Sequence, residues 1–194
     1  MSKMIKNAII ITVITIVAGV ALGLVYEITK VPIANAEENA KREAWQKVFP
    51  KAELADFETT EVDEEKAKEA AASVNANALI DEVCTVKGGD EGYVITVTDK
   101  EGYGGDVQIT VGIASDGTVT GISFLELSET AGLGMKAKEP SFYEQYANKK
   151  TDSFYVSKDG GEGEKIDAIS GATITSRAVT GAVNTALAYY RSAF

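Results

Sequence analysis

Three hydroxyl side chains lie close together near the C-terminus, in the stretch DAISGATITSRAVTGAVNTAL that begins at Asp167. They are Thr173, Thr175 and Ser176, and the apolar spacing after them predicts an amphipathic helix from about Ser176 to Arg191. A helix N-terminus needs one capping hydroxyl, and either Thr175 or Ser176 is expected to supply it. Thr173 is then free for other chemistry.

The chemistry open to Thr173 is contact with a phosphate. A helix N-terminus presents unpaired N–H groups and the positive end of a dipole, which together favour an anion. Gly171 and Ala172 leave little steric cover over the Thr173 hydroxyl. Spacing alone leaves three alternatives open: a phosphate bound noncovalently, a phosphate esterified to the hydroxyl, or no phosphate and an ordinary loop residue. The sequence contains neither G-x-G-x-x-G nor a Walker A motif.

Cysteine and histidine usage excludes several other kinds of site. The chain has no histidine and one cysteine, Cys84. Histidine-based triads, histidine metal ligands, internal disulfides, cysteine-rich zinc sites, C-x-x-C-H haem attachment and all-protein iron–sulfur ligation are therefore ruled out. Neither a catalytic side chain nor a metal ligand is predicted. Cys84 lies in a strand-like setting and is expected to be a small buried hydrophobe.

Charge narrows the choice of partners. The formal net charge is −10 at pH 7, and two of the basic residues, Lys3 and Lys6, precede the long apolar stretch described next. An acidic domain of this kind is repelled by nucleic acid and by anionic lipid headgroups. The sequence therefore predicts no nucleic-acid partner.

An uncharged stretch of about 19 residues runs from Ala8 to Tyr26. As a helix it is about 28 Å long, close to the thickness of the bilayer hydrocarbon core. It predicts a membrane anchor, with a cleaved signal peptide (Ala34 to Ala36 fits A-x-A) and a buried core helix as alternatives. Lys3 and Lys6 precede this stretch, so the N-terminus, 1–7, is expected in the cytoplasm and the domain that follows the stretch is expected outside it.

The remaining elements predict an α+β fold. Pro32 is expected to interrupt the chain before a second amphipathic helix, which ends at Pro50 and docks through Trp45 and Phe49. A solvated helix or connector follows, completing a stalk at 27–76. The domain, 77–194, is predicted to hold an antiparallel sheet with flanking helices: alternating strands at 93–98, 107–113 and 118–127, a turn at 116–117, and a short helix bearing Phe142, Tyr143 and Tyr146.

The residues around Thr173 resemble a known signature. Asp167, Ser170, Gly171, Ala172 and Thr173 are similar to the D-x-x-S/T-G-A-T flavinylation motif of the FMN-binding domain family. The resemblance implies that a flavin transferase uses FAD to attach FMN covalently to Thr173 through a phosphoester. Thr175 or Ser176 would cap the helix behind the phosphate.

A second block of the same family supports this resemblance. The stretch SETAGLG resembles the family's E-T-P-G-L-G, with Ala131 in place of the proline and Leu127 where a histidine often stands. The alanine is expected to make the loop less rigid. Gly102-Tyr103-Gly104-Gly105 and the strand ITVGI also fall where the family has similar blocks. The cofactor-binding residues implied are Thr173, Ser170, Gly171, Ala172, Thr175, Glu129, Thr130, Gly132, Leu133 and Gly134.

The order of these blocks, the single N-terminal span and the length resemble the G subunits of Rnf complexes within that family. The resemblance implies a covalent-FMN electron carrier in a bacterial or archaeal cell membrane. Its expected partners are the other membrane and iron–sulfur subunits, in a complex coupling ferredoxin/NAD electron transfer to Na⁺ or H⁺ transport. Three alternatives stay open: the C subunit of a sodium-translocating NADH:quinone reductase, a stand-alone extracytoplasmic flavoprotein, and a flavin-free anchored scaffold.

Overall fold

The structure is a computed structural model that describes residues 3–88 and 91–194. The chain divides into two compact units, Met1–Lys41 and Arg42–Phe194. The helices are α1 (Lys3–Val48), α2 (Glu64–Val74), α3 (Pro140–Tyr143) and α4 (Thr173–Ala193). The strands are β1 (Phe57–Thr60), β2 (Ala78–Val86), β3 (Gly92–Asp99), β4 (Val107–Ala114), β5 (Val119–Leu127), β6 (Phe154–Val156) and β7 (Glu164–Ile166).

Helix α1 runs without a break through Pro32, so the predicted interruption there is wrong. Proline removes one backbone N–H and crowds the preceding turn, but alanine, glutamate and lysine after it are good helix formers and carry the helix on. The stretch 8–26 is exposed along its whole length, which argues against a core helix. Among the described residues, α1 is the one helix long and apolar enough to span a membrane.

The predicted strands are confirmed as β3, β4 and β5, which pair as antiparallel neighbours. The turn between β4 and β5 closes where Ala114 N donates to Thr118 O at 2.8 Å. Gly117 has a φ of 84°, a conformation that favours glycine. Strands β1 and β2 extend the sheet on the other side of β3, so the five strands follow chain order.

Helix α4 covers one face of this sheet and forms the main core with it. Its buried face repeats at helical spacing through Val179, Val183 and Ala186, which belong to the same cluster as Ile95 and Ile109 of the sheet. The site lies at the N-terminal end of α4. The core therefore fixes where that end of the helix stands.

A smaller cluster comprises Val48, Phe49, Ala52, Cys84, Val86 and Val94. Trp45 stacks on Phe57 with ring centroids 5.6 Å apart, and Phe49 is buried, so the predicted docking of this aromatic pair is confirmed. Cys84 is buried here. Within the predicted stalk, 27–76, the structure places β1 in the sheet and packs α2 against α4.

The segment between β5 and α4 carries the rest of the site. The predicted short helix after Pro140 is α3, and a 3₁₀ turn over Glu144–Tyr146 continues it. Strands β6 and β7 form a two-stranded parallel pair that the sequence did not predict. Each strand has three residues, which is too few to show an alternation of apolar and polar side chains in the sequence.

Candidate functional site

The start of α4 is set by a tight turn rather than by a capping side chain. Ser170 and Gly171 form the turn, and Gly171 takes a φ of 78°. Ala172 N donates to Ile169 O at 3.0 Å, and the backbone of Ala172 is not yet helical. Thr173 is consequently the first residue of the helix, three residues earlier than the predicted start at Ser176.

The predicted capping role of Thr175 or Ser176 is wrong. The residue before the helix is Ala172, and no side chain caps it. Ser176 lies one turn inside the helix, where its Oγ accepts from Ile169 N at 3.0 Å and donates to Ala172 O at 3.0 Å. The hydroxyl of Ser176 thus closes the preceding turn. Because no side chain caps α4, the first N–H groups of the helix stay available to a ligand.

A cavity of about 510 Å³ opens at this end of α4. Its lining contains eight predicted residues and two that the prediction missed. The eight are Glu129, Thr130, Leu133, Gly134, Gly171, Ala172, Thr173 and Thr175, and the two are Tyr103 and Ile174. Ser170 and Gly132 do not line the cavity: both are exposed in turns beside it.

Tyr103 reaches the cavity because its loop packs against the loop that follows β5. Tyr103 N donates to Glu129 Oε1 at 2.8 Å. A Cβ on Gly104 would lie 2.0 Å from Ser128 O, so only glycine allows this approach. The Tyr103 side chain itself is 71% exposed. The glycines on either side of Tyr103 were the sequence signal, since a tight loop of this kind often carries a binding residue.

The loop after β5 keeps a tight turn with Ala131 in place of the family's proline. Leu133 N donates to Thr130 O at 3.1 Å across this turn, and Gly132 has a φ of 75°. A 3₁₀ helix, Gly134–Lys138, follows at once. Leu127, at the position where the family often has histidine, ends β5 and is largely buried.

The hydroxyls near the start of α4 differ in access. Thr173 lines the cavity and is half-buried. Thr175 and Ser176 are 1% and 0% exposed, so neither is open to an enzyme that would modify it. Ser170 is exposed but is not part of the cavity lining. Among the hydroxyls near the start of α4, Thr173 is therefore the one that combines access with a place in the cavity.

The cavity lining is built from groups that can bind a ligand. Glu129 and Tyr103 are its ionisable residues, and the rest of the lining is apolar, small or hydroxyl-bearing. Across residues 3–88 and 91–194, no group of three or more potential metal ligands comes together. A cavity of this kind, partly apolar with a few convergent polar groups, is typical of a cofactor site.

Two comparisons with known proteins concern the part of the chain that contains the cavity. A family model for the FMN-binding domain matches residues 102–188, a range that contains the whole cavity lining. The crystal structure of Shewanella oneidensis NqrC aligns with 57% of this chain and 59% of that chain, at 22% identity and a TM-score of 0.47.

Two relatives match nearly the full length. The G subunit of the Na⁺-translocating ferredoxin:NAD⁺ oxidoreductase complex of Acetobacterium woodii is 34% identical over 192 residues, covering 96% of this chain and 91% of that protein. The G subunit of the ion-translocating oxidoreductase complex of Methanosarcina acetivorans is 34% identical over 193 residues, covering 97% and 95%. This chain therefore belongs to the family of G subunits of ion-translocating oxidoreductase complexes, and it contains that family's FMN-binding domain.

Proposed function

We propose that this chain is a membrane-anchored electron carrier with FMN attached to Thr173 through a phosphoester. It works in an Rnf-type complex that couples electron transfer between ferredoxin and NAD to Na⁺ or H⁺ transport. The complex and its reaction are carried over from the names of the relatives, two of which are 34% identical over nearly the whole chain. The chain contributes an electron carrier, not a substrate-turnover site.

The observation that carries the proposal is the position of Thr173. It is the first residue of α4, it lines the cavity, and its side chain is half-buried. Thr175 and Ser176 are buried, so a transferase acting on the folded domain reaches Thr173 and not its neighbours. The difference in burial therefore favours Thr173 as the acceptor among these three hydroxyls.

The cavity fits FMN in size, and the start of α4 favours its phosphate. Its volume of about 510 Å³ lies within the usual range for small-molecule sites. A phosphate on Thr173 would sit at the uncapped N-terminus of a helix of 21 residues, where the dipole and free N–H groups favour negative charge. The apolar side chains of Leu133 and Ile174 offer contact to a flavin ring.

FMN, when attached, supplies the redox chemistry, and the residues of the cavity bind and orient it. The protein holds the phosphate at the helix terminus, limits solvent around the flavin and keeps it in one place. Attachment requires a flavin transferase that uses FAD as donor. The further partners proposed are the membrane and iron–sulfur subunits of the complex.

The chain is anchored by the apolar part of α1. We place its N-terminus in the cytoplasm and the FMN-binding domain outside, since Lys3 and Lys6 precede the uncharged stretch. A flavin outside the cytoplasm has no intracellular pool to replace it. A covalent bond prevents the flavin from dissociating, so it does not need to be replaced.

The test is to purify the full chain from its native host and run it on a denaturing gel under ultraviolet light. A phosphoester survives denaturation, so we expect a fluorescent band and an intact mass higher by one FMN less one water. Thr173→Val keeps the shape of the side chain but removes the acceptor oxygen, so the band should lose its fluorescence while the domain still folds.

Thr175→Val is the matched control, because it makes the same change two residues along α4 at a buried position. We expect this variant to remain labelled. Loss of label in Thr175→Val with retention in Thr173→Val would mean that the wrong hydroxyl is assigned. Wild-type protein without any covalent flavin would overturn the proposal and favour a flavin-free scaffold.

A further inference from the structure

A second cavity, of about 400 Å³, opens at the edge of the five-stranded sheet and shares no residue with the cavity at the start of α4. We call it the edge cavity. Strand β5 is the last strand in the sheet order. Consecutive side chains of a strand point to opposite faces, so a cavity that three consecutive residues line bends around the strand's edge. The lining residues are Lys47, Ile122, Ser123, Phe124, Lys138 and Tyr143.

The charge in the edge cavity is opposite to that of the chain as a whole. Lys47 and Lys138 line it, and none of its described lining residues is a carboxylate. The chain has a net charge of −10. The cavity at the start of α4 includes Glu129, and a cavity between α2 and β2 is lined by three carboxylates. The edge cavity therefore concentrates positive charge on an acidic domain.

The two lysines have no anionic partner in the part of the chain that the structure describes. Neither Lys47 nor Lys138 forms an ion pair there, whereas Lys149 lies 2.9 Å from a carboxylate oxygen of Glu164. Lys47 belongs to the last turn of α1 and Lys138 ends the 3₁₀ helix, so two separate elements bring these charges to one cavity. Like charges repel, and an anion between them lowers the electrostatic energy.

Ser123 adds a hydrogen-bond donor to this positive lining. Its side chain is 6% exposed, and its hydroxyl forms no hydrogen bond with any described residue. Its cross-strand neighbour Thr110 differs, because the hydroxyls of Thr110 and Thr96 lie 3.4 Å apart as a buried pair. A buried hydroxyl without a partner is unfavourable. Because Ser123 lines the edge cavity, a ligand there is placed to accept from it.

These groups define the chemical class of the ligand. An ammonium group only donates hydrogen bonds, and its preferred partner is a negatively charged acceptor such as phosphate or carboxylate. The remaining walls are the side chain of Ile122 and the rings of Phe124 and Tyr143, which suit an apolar or aromatic body. The volume lies within the range of small-molecule sites. The lining thus fits an anionic group joined to an apolar body.

We propose that the edge cavity is a second ligand site, which binds the phosphate or carboxylate group of a ligand with an apolar body. The anionic group accepts hydrogen bonds from Lys47, Lys138 and Ser123, and the body lies against Phe124 and Tyr143. The site is independent of FMN attachment. Two sources offer this chemistry: a free small molecule, and an acidic side chain of a neighbouring subunit.

The first experiment is calorimetric titration of the full flavinylated chain in detergent with phenyl phosphate, which joins an anionic group to a ring. We expect saturable binding, weaker binding of inorganic phosphate and none of phenol. Lys47→Met and Lys138→Met keep an apolar stem but remove the charge, and each should weaken binding about tenfold. Ser123→Ala should weaken it about threefold.

Lys136→Met is the matched control, because it removes the same charge from the same 3₁₀ helix at a residue outside the edge cavity. This variant should bind phenyl phosphate like the wild type, and circular dichroism checks that all variants are folded. Equal weakening in Lys136→Met would mean that the effect is general charge and not a site. Unchanged binding in both Lys47→Met and Lys138→Met, or no binding by the wild type, would overturn the proposal.

The second experiment identifies the source in protein purified from the native host. A carbodiimide joins a lysine amine directly to a neighbouring carboxylate, so a partner's acidic side chain should give a crosslinked peptide containing Lys47 or Lys138. A free ligand should instead add a noncovalent mass in native mass spectrometry, and Lys47→Met should lose that mass. Either result supports the site and names its source. Native-host protein with neither a crosslink nor an added mass would contradict it.

Discussion

At the scale of single residues, the site depends on Gly134 having no side chain, since its neighbours Thr175 and Glu129 leave no room for one. A Cβ there would lie 2.6 Å from Thr175 Oγ1 and 2.7 Å from the Cβ of Glu129, both far inside normal contact. The φ of Gly134 is not among the positive values, so the restriction comes from crowding and not from backbone strain. Because Gly134 has no side chain, the start of the 3₁₀ helix can lie against Thr175 and Glu129.

Gly134→Ala should therefore lower flavin occupancy. The new methyl fills the space between Glu129 and Thr175, and we expect a smaller ratio of flavin to protein, measured from the visible and ultraviolet absorption of the purified chain. Gly121→Ala is the control, because a Cβ at Gly121 would meet nothing within 4 Å. Wild-type occupancy and flavin fluorescence lifetime in Gly134→Ala would show that crowding at this point is irrelevant.

Single residues also show where sequence prediction stops. The family motif was enough to predict Thr173 and most of the cavity lining. The cap was mispredicted because a capping position depends on backbone conformation: Gly171, at a φ of 78°, turns the chain so that Ala172 precedes the helix. Tyr103 and Ile174 were missed because their contribution comes from the contact between loops and from the true start of α4.

At the scale of elements, regular alternation made β3, β4 and β5 predictable. Strand β2 was predicted only as a strand-like setting around Cys84, because a register shift between Ile80 and Glu82 breaks its alternation. Helix α2 buries only the small side chains Ala70 and Ala71, so its inner face resembles a solvated one in sequence. Elements with large, evenly spaced apolar residues are visible in sequence, and those that pack through alanine or a bulge are not.

The element that carries the site, α4, is joined to the turn after α3 by a buried hydrogen bond. Tyr146 OH and Thr180 Oγ1 lie 2.8 Å apart, and both side chains are buried. Burial raises the pKa of Tyr146 well above its usual range, so the phenol stays neutral. The bond ties the 3₁₀ turn after α3 to α4, one turn beyond Ser176.

Thr180→Val should destabilise the domain without removing the flavin. It leaves the Tyr146 hydroxyl buried and unpaired, which costs about 1–3 kcal/mol in the free energy of unfolding. Chemical denaturation measures this loss, and the ultraviolet gel should still show a labelled band because Thr173 is untouched. Tyr146→Phe in the same background should add little further loss. Fully additive losses would mean that the two hydroxyls do not act as a pair.

At the scale of the whole molecule, the chain combines an apolar segment with a strongly acidic remainder. The net charge is −10, and the stretch 8–26 has no charged residue. Net negative charge disfavours contact with anionic headgroups, so the apolar segment is the part of the chain that fits membrane attachment. The side on which the domain lies then decides where the flavin exchanges electrons.

The last prediction tests that side with a thiol reagent that does not cross membranes. Lys158 is exposed in the turn after β6, so Lys158→Cys should be labelled in intact spheroplasts. The natural Cys84 is buried, which keeps the wild-type background low. Asn7→Cys, before the apolar stretch, is the matched control, because it leaves Lys3 and Lys6 in place, and it should be labelled only after lysis. If Lys158→Cys needs lysis as well, the domain lies in the cytoplasm. Labelling of Asn7→Cys in intact spheroplasts would mean that the N-terminus lies outside, against the charge rule used to orient the chain.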